Sequence, residues 1–305
     1  MIIRPRPHGW QLLYILRGSI VKAIAPKVLA ILILSIAVAA VVELAPPTGI
    51  ERVSVTPFTL LGLVLSIFLS FRNSACYERW WEGRKLWGQL VYESRSLARQ
   101  VNLLLADDTG RRRRIAYLTT AFAHALAGRL RGRIVALMAL PWLDKRQREQ
   151  LGQRENVPDA LLSMIAAELA QALRAGELDP ILYTQLEERL HAMSSIQAGC
   201  ERILTTPLPF AYTLLLHRCA WMFCVLLPFG LASSLGWGTP VLSAVLAYAF
   251  FGLDQLGEEM EDPFGLEPND LPLDALVRTI EIDQLDALGE RPLPEPLLPQ
   301  GYLLQ

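Results

Sequence analysis

The segment that most constrains this chain runs from Pro57 to Gln89, PFTLLGLVLSIFLSFRNSACYERWWEGRKLWGQ. Its first half reads as an apolar helix with two stripes. Gly62, Ser66 and Ser70 recur every four residues and put small side chains on one face. Leu63, Ile67 and Phe71 recur at the same spacing and put bulky apolar side chains on the next face round. Small stripes let helix backbones approach closely inside a membrane. A bulky stripe beside one can project into a shared central space and close it to water. At Arg72 the segment turns charged and tryptophan-rich, as a helix does when it leaves a bilayer and continues into water. Two readings stand: a pore-lining helix, or a transmembrane helix packed on its neighbours.

Composition supports a protein half in the membrane. The 305 residues are 52% hydrophobic yet 19% charged, with a mean hydropathy of +0.30. The net charge of −1 argues against a nucleic-acid partner. Cys76, Cys200, Cys219 and Cys224 form neither a CxxC pair nor a metal-ligand grouping, and no disulfide framework is expected.

Gaps in charge give the membrane segments. Val28 to Val42 is uncharged, Val53 to Phe71 is a second such run, and Cys219 to Leu253 is a third. The third is long enough for two spans, broken at Gly236-Trp237-Gly238-Thr239-Pro240, with Pro228 predicted to kink the first of them. The expected fold class is therefore all-α, as one unit over 1–305. Its four spans lie at about 26–44, 53–71, 212–234 and 238–255, continuous with a large helical body over 72–211.

Lys and Arg set the orientation. Arg4, Arg6, Arg17, Lys22 and Lys27 precede the first span, and the loop after it holds only Arg52. Arg72, Arg79, Arg84, Lys85, Arg95, Arg99 and Arg111 to Arg114 follow the second span. The positive-inside rule places both termini and the helical body in the cytoplasm, and Gly49 outside. The location implied is the plasma membrane, crossed several times.

In the body, Leu97, Val101, Leu104 and Leu105 form one apolar face. Ile115, Leu118, Phe122, Ala125 and Leu126 form another, after a turn at Asp107-Asp108-Thr109-Gly110. Leu161 to Leu173 and Tyr183 to Met193 are further amphipathic stretches, separated by Gly176 to Pro180. The run Arg111 to Arg114 suits either an anionic ligand or a solvated helix end. Trp80, Trp81 and Trp87 read as interface or packing residues. The tail over 257–305 holds twelve Asp or Glu against two Arg and many prolines, so it is expected to be extended and partly ordered by wrapping on the helical body or a neighbouring subunit, with its last dozen residues mobile. No catalytic motif, helical His pair, cofactor fingerprint or EF-hand spacing occurs, and no enzyme activity, cofactor or metal is expected. His217-Arg218 reads as an interfacial anchor. No charge lies within the second span, where a proton-coupled transporter usually needs one.

Arg79-Trp80-Trp81, Phe71 eight residues before it, and Asp262-Pro263-Phe264-Gly265 together resemble the bestrophin family. The strings FRNSACYERWWEGRKLWGQLV and GLDQLGEEMEDPFG are similar to its bacterial branch, which also relates to plant thylakoid channels. The likeness extends roughly from Pro5 to Leu276. It implies a homopentameric channel in membrane lipid, with one pore on the fivefold axis and a neck lined by the second transmembrane helix. The neck positions fall on Leu63, Ile67 and Phe71, and a second, cytosolic constriction falls on Ile181. The ion is a small monovalent one: chloride by family association, with sodium or other cations open because a bacterial relative conducts them. In animal members a run of acids after PFG helps clasp calcium. Here Leu266-Glu267-Pro268-Asn269-Asp270 keeps only two acids, so that clasp is not expected. A secondary transporter, or a membrane anchor for a helical scaffold, are the alternative readings.

Overall fold

The computed structural model describes residues 1–4, 8–15, 18–44, 54–134 and 138–305. Arg6, Arg17, Gly49, Arg52 and Val53, on which part of the topology reading rests, lie outside the described residues. Nine α-helices occur among the described residues. They are α1 (Val21–Leu44), α2 (Thr56–Leu104), α3 (Thr109–Leu130), α4 (Lys145–Leu151), α5 (Val157–Arg174), α6 (Pro180–Thr205), α7 (Phe210–Leu235), α8 (Thr239–Glu261) and α9 (Leu273–Ala287). Only isolated bridges, Ile2 with Leu303 and Gln300 with Leu303, pair extended backbone there. The chain divides into two compact units. One comprises Met1–Arg4, Trp81–Thr206 and Pro263–Gln305, the other Pro5–Trp80 and Pro207–Asp262.

The second unit holds the apolar helices. Stretches long and apolar enough to cross a membrane occur in α1, α2 and Phe210–Glu261. The last stretch is divided where the sequence predicts. Gly236 takes a φ of +48°, which a side chain disfavours, and ends α7; Pro240 then sits in the first turn of α8, where its missing N–H costs nothing. α7 itself continues through Pro228. The core of this unit joins Ile24 and Ile31 of α1, Leu65 and Leu69 of α2, Phe223 and Leu227 of α7, and Phe250 and Phe251 of α8. Phe223 and Phe250 meet edge to face at 4.8 Å.

The first unit is organised around α3, packed by α5, α6 and α9. Ile115, Leu118, Phe122, Ala125 and Leu126 are all buried, as their spacing predicts. The amphipathic stretches at Leu161 and Tyr183 become α5 and α6. Asp108, in the turn before α3, accepts the Arg111 N–H at 2.8 Å and caps the helix.

The tail departs from expectation in two ways. Its proline-free middle is not extended but forms α9, because Leu273, Val277, Ile280 and Gln284 recur at helical spacing and are all buried. Its last residues are not loose. Leu304 N–H donates to the Met1 carbonyl at 2.9 Å, Ala275 N–H donates to the Gln305 carbonyl at 2.9 Å, and Arg4 lies 4.3 Å from the Tyr302 ring centre.

Candidate functional site

From its start to Cys76, α2 has a buried face and an open one. Leu65, Leu69, Arg72 and Cys76 turn inward at 3% exposure or less. On the opposite side Leu63, Ile67 and Phe71 stand 60%, 47% and 63% exposed. This unit therefore buries none of the three bulky side chains that share the stripe. The small stripe lies at the flank of the buried face. A Cβ on Gly62 would stand 3.1 Å from the Phe223 ring, so α2 and α7 approach where glycine permits it. The Ser66 hydroxyl donates to the Gly62 carbonyl at 2.7 Å, which satisfies it inside the helix. Gly62 and Ser66 edge an apolar groove of about 270 Å³ with Phe58, Phe223 and Phe250, while Ser70 is exposed.

Next to Phe71 lies a buried charge cluster that the linear reading missed. Arg72 is 1% exposed, and its Nη1 donates to Asp254 Oδ1 at 2.6 Å. The other carboxylate oxygen, Oδ2, lies 2.7 Å from His217 Nδ1. Glu261 Oε2 is 3.9 Å from Arg72 Nη2. His217 is thus a partner of Asp254 rather than only an interfacial anchor. The signal available was weak: Asp254 ends the longest uncharged run, and its partners are distant in sequence.

The motif residues make close contacts among the helices. Arg79 Nε donates to the Glu261 carbonyl, which closes α8 just before Asp262, at 3.1 Å. Trp80 stacks near Tyr77 with centroids 6.4 Å apart, and Arg84 lies 5.5 Å from the Trp81 ring centre. Trp87 is wholly buried, in line with a packing role. Phe264 is also wholly buried, and its ring sits where a Cβ on Gly83 would be 3.1 Å away. The Pro263 carbonyl accepts the Leu271 N–H at 2.9 Å, so the turn that includes Gly265 folds back under that ring. Asp270 Oδ2 accepts the Glu267 backbone N–H at 2.6 Å, so one of the two remaining acids closes this turn. No group of three or more potential metal ligands occurs among the described residues.

Ile181 opens α6 behind Asp179, whose carboxylate accepts the Ile181 N–H at 2.8 Å; its side chain is 72% exposed. The arginine run does not present a free basic patch. Arg114 makes a two-pronged pair with Glu168 at 3.0 and 2.9 Å, Arg113 pairs with Glu290 at 3.1 Å, and Arg111 pairs with Asp108 and Glu177. Burial pushes the Cys200 thiol up to about 12, so it behaves as a small hydrophobe.

An apolar unit with helices long and apolar enough to cross a membrane, joined to a helical body, is the architecture of a membrane protein. The profile of the bacterial/fungal bestrophin proteins matches residues 1–286. A voltage-dependent anion channel-forming protein of Mesorhizobium japonicum is 47% identical over 96% of this chain and 94% of its own length. One from Escherichia coli is 42% identical over 99% of both chains. The crystal structure of a bacterial bestrophin homolog from Klebsiella pneumoniae superposes with a TM-score of 0.83 at 36% identity, covering 88% of this chain and all of that one. The chain belongs to the bacterial and fungal bestrophins, a family of ion channels rather than of enzymes.

Proposed function

We propose that this chain is one protomer of a homopentameric channel in the bacterial inner membrane, with four spans and both termini in the cytoplasm. Five copies of Leu63, Ile67 and Phe71 form its neck, and Ile181 forms a second constriction at the cytosolic exit. The observation that carries this reading is the open stripe on α2. Bulky apolar side chains stand opposite the buried face, in a run from Val53 to Phe71 without charge. Rings of such side chains make a dry sleeve that ions cross only by shedding water or when the sleeve widens, which is gating by dewetting. The names of the relatives favour an anion as the permeant species, chloride being the common small one. Sodium is the competing ion.

The reversal potential in asymmetric sodium chloride tests the ion. A value near the chloride equilibrium potential supports the anion reading, and one near the sodium potential overturns it. Ile181→Ala is expected to raise conductance, or relax discrimination by ion size, without loss of thermal stability, because an exposed side chain has no core to vacate. Unchanged permeation in the folded variant removes Ile181 from the pathway.

The cluster of Arg72, Asp254 and His217 gives the transporter reading one specific support, since buried ionisable groups mark proton relays in membranes. Unitary current steps decide against it.

A further inference from the structure

We infer that His217, Asp254 and Arg72 form a proton-operated latch on the neck at Phe71, and that acidification raises conduction. The inference rests on the channel reading above.

Asp254 is the shared element. It is 3% exposed and holds Arg72 on one carboxylate oxygen and His217 on the other, at 2.6 and 2.7 Å. Arg72 Nη1 also reaches the Asp254 backbone carbonyl at 3.3 Å, so the guanidinium ties α2 to α8 through two acceptors. His217 differs from the other two. Its side chain is 41% exposed and borders a cavity of about 420 Å³ lined by Pro207, Phe210, Glu258 and Glu261. Arg72 and Asp254 touch the same cavity but are 1% and 3% exposed, so the imidazole is the member of the cluster most open to a proton.

The groups around the cluster are few. From α2 come Arg72, Cys76 and Arg79, the last bonded to the Glu261 carbonyl. From α8 come Asp254, Glu258 and Glu261. From α7 come His217, Arg218 and Tyr212, whose hydroxyl donates to the Phe68 carbonyl. α1, which packs on α7 and α8, carries Lys22 and Lys27, and Lys27 stands 6.0 Å from the Phe251 ring centre.

With a neutral imidazole, Nδ1–H donates to Asp254 and the full carboxylate charge serves Arg72. A second proton makes His217 an imidazolium, and two cations then share one carboxylate. The Arg72 pair weakens in the same step. Arg72 has an alternative partner in Glu261, already 3.9 Å from Nη2. Phe71 directly precedes Arg72 on the helix, so loosening the tie frees the widest ring of the stripe to move off the pore axis. The proton shifts an existing equilibrium by binding one state better than the other.

The test is current through the purified pentamer in planar bilayers, with equal pH on both sides, stepped from about pH 8 to about pH 5, the range in which an imidazole ordinarily changes charge. The parent is expected to gain current several-fold on acidification. His217→Gln keeps a hydrogen-bonding side chain without the proton and is expected to stay at the low level at every pH. His217→Arg, permanently charged, is expected to stay at the high level. Unitary currents that ignore pH in the parent, or a pH response that survives in His217→Gln, overturn the latch and leave the channel reading standing. Absence of current at every pH overturns both.

Discussion

Changing Leu63, Ile67 and Phe71 together to Ala is expected to raise conductance or open probability and leave the oligomer intact. In a pentamer the change removes five apolar side chains from each of three rings. That lowers the barrier to wetting without opening a cavity in a packed core. The exposures of 60%, 47% and 63% in the protomer say that no core of its own is lost. The same three truncations in a protein interior would destabilise by about 2–5 kcal/mol each. Chromatographic size together with single-channel current separates the two cases. A variant that falls apart, or conducts as the parent does, places this stripe against protein or lipid.

The second large effect is expected at Phe264. Its ring is wholly buried against Gly83 and Leu271, under the turn closed by the Pro263 carbonyl. Arg131 reinforces that turn, donating to the Phe264 and Leu271 carbonyls at 3.3 Å each and pairing with Asp274 at 2.7 Å. Phe264→Ala is expected to cost the helical body about 3–5 kcal/mol, since truncating a buried aromatic leaves a void that the backbone cannot close. Gly83→Val should fail from the other side, by forcing a side chain into the ring. Thermal melts followed by circular dichroism check both, and a parent-like melting temperature in either would remove the motif from the list of structural locks.

The contrast between these residues explains what the sequence made legible. The two stripes of α2 can be read by counting, because one helix presents them at a fixed period of four. α3, α5 and α6 were legible for the same reason. α9 obeys that rule too, but prolines at Pro272 and Pro292 bracket it and suggested an extended tail. The run Arg111 to Arg114 was ambiguous because its partners, Glu168, Glu177 and Glu290, lie far along the chain. The cluster at Arg72 was hidden by the same distance. Asp254 is 182 residues from Arg72, and hydropathy records only that a charge stands at the end of a run. Motif spelling pointed to Arg79 and Phe264, yet the physical reasons, a carbonyl to cap and a glycine to cover, needed coordinates.

Single-channel recording of the purified protein in a planar bilayer tests the central claim most directly. The account predicts discrete unitary steps, reversing near the chloride potential in asymmetric salt, whose size or frequency grows when the α2 stripe is cut to Ala. Smooth, saturable flux without steps would mark a transporter, silence would mark a scaffold, and either result would contradict a pore lined by Leu63, Ile67 and Phe71.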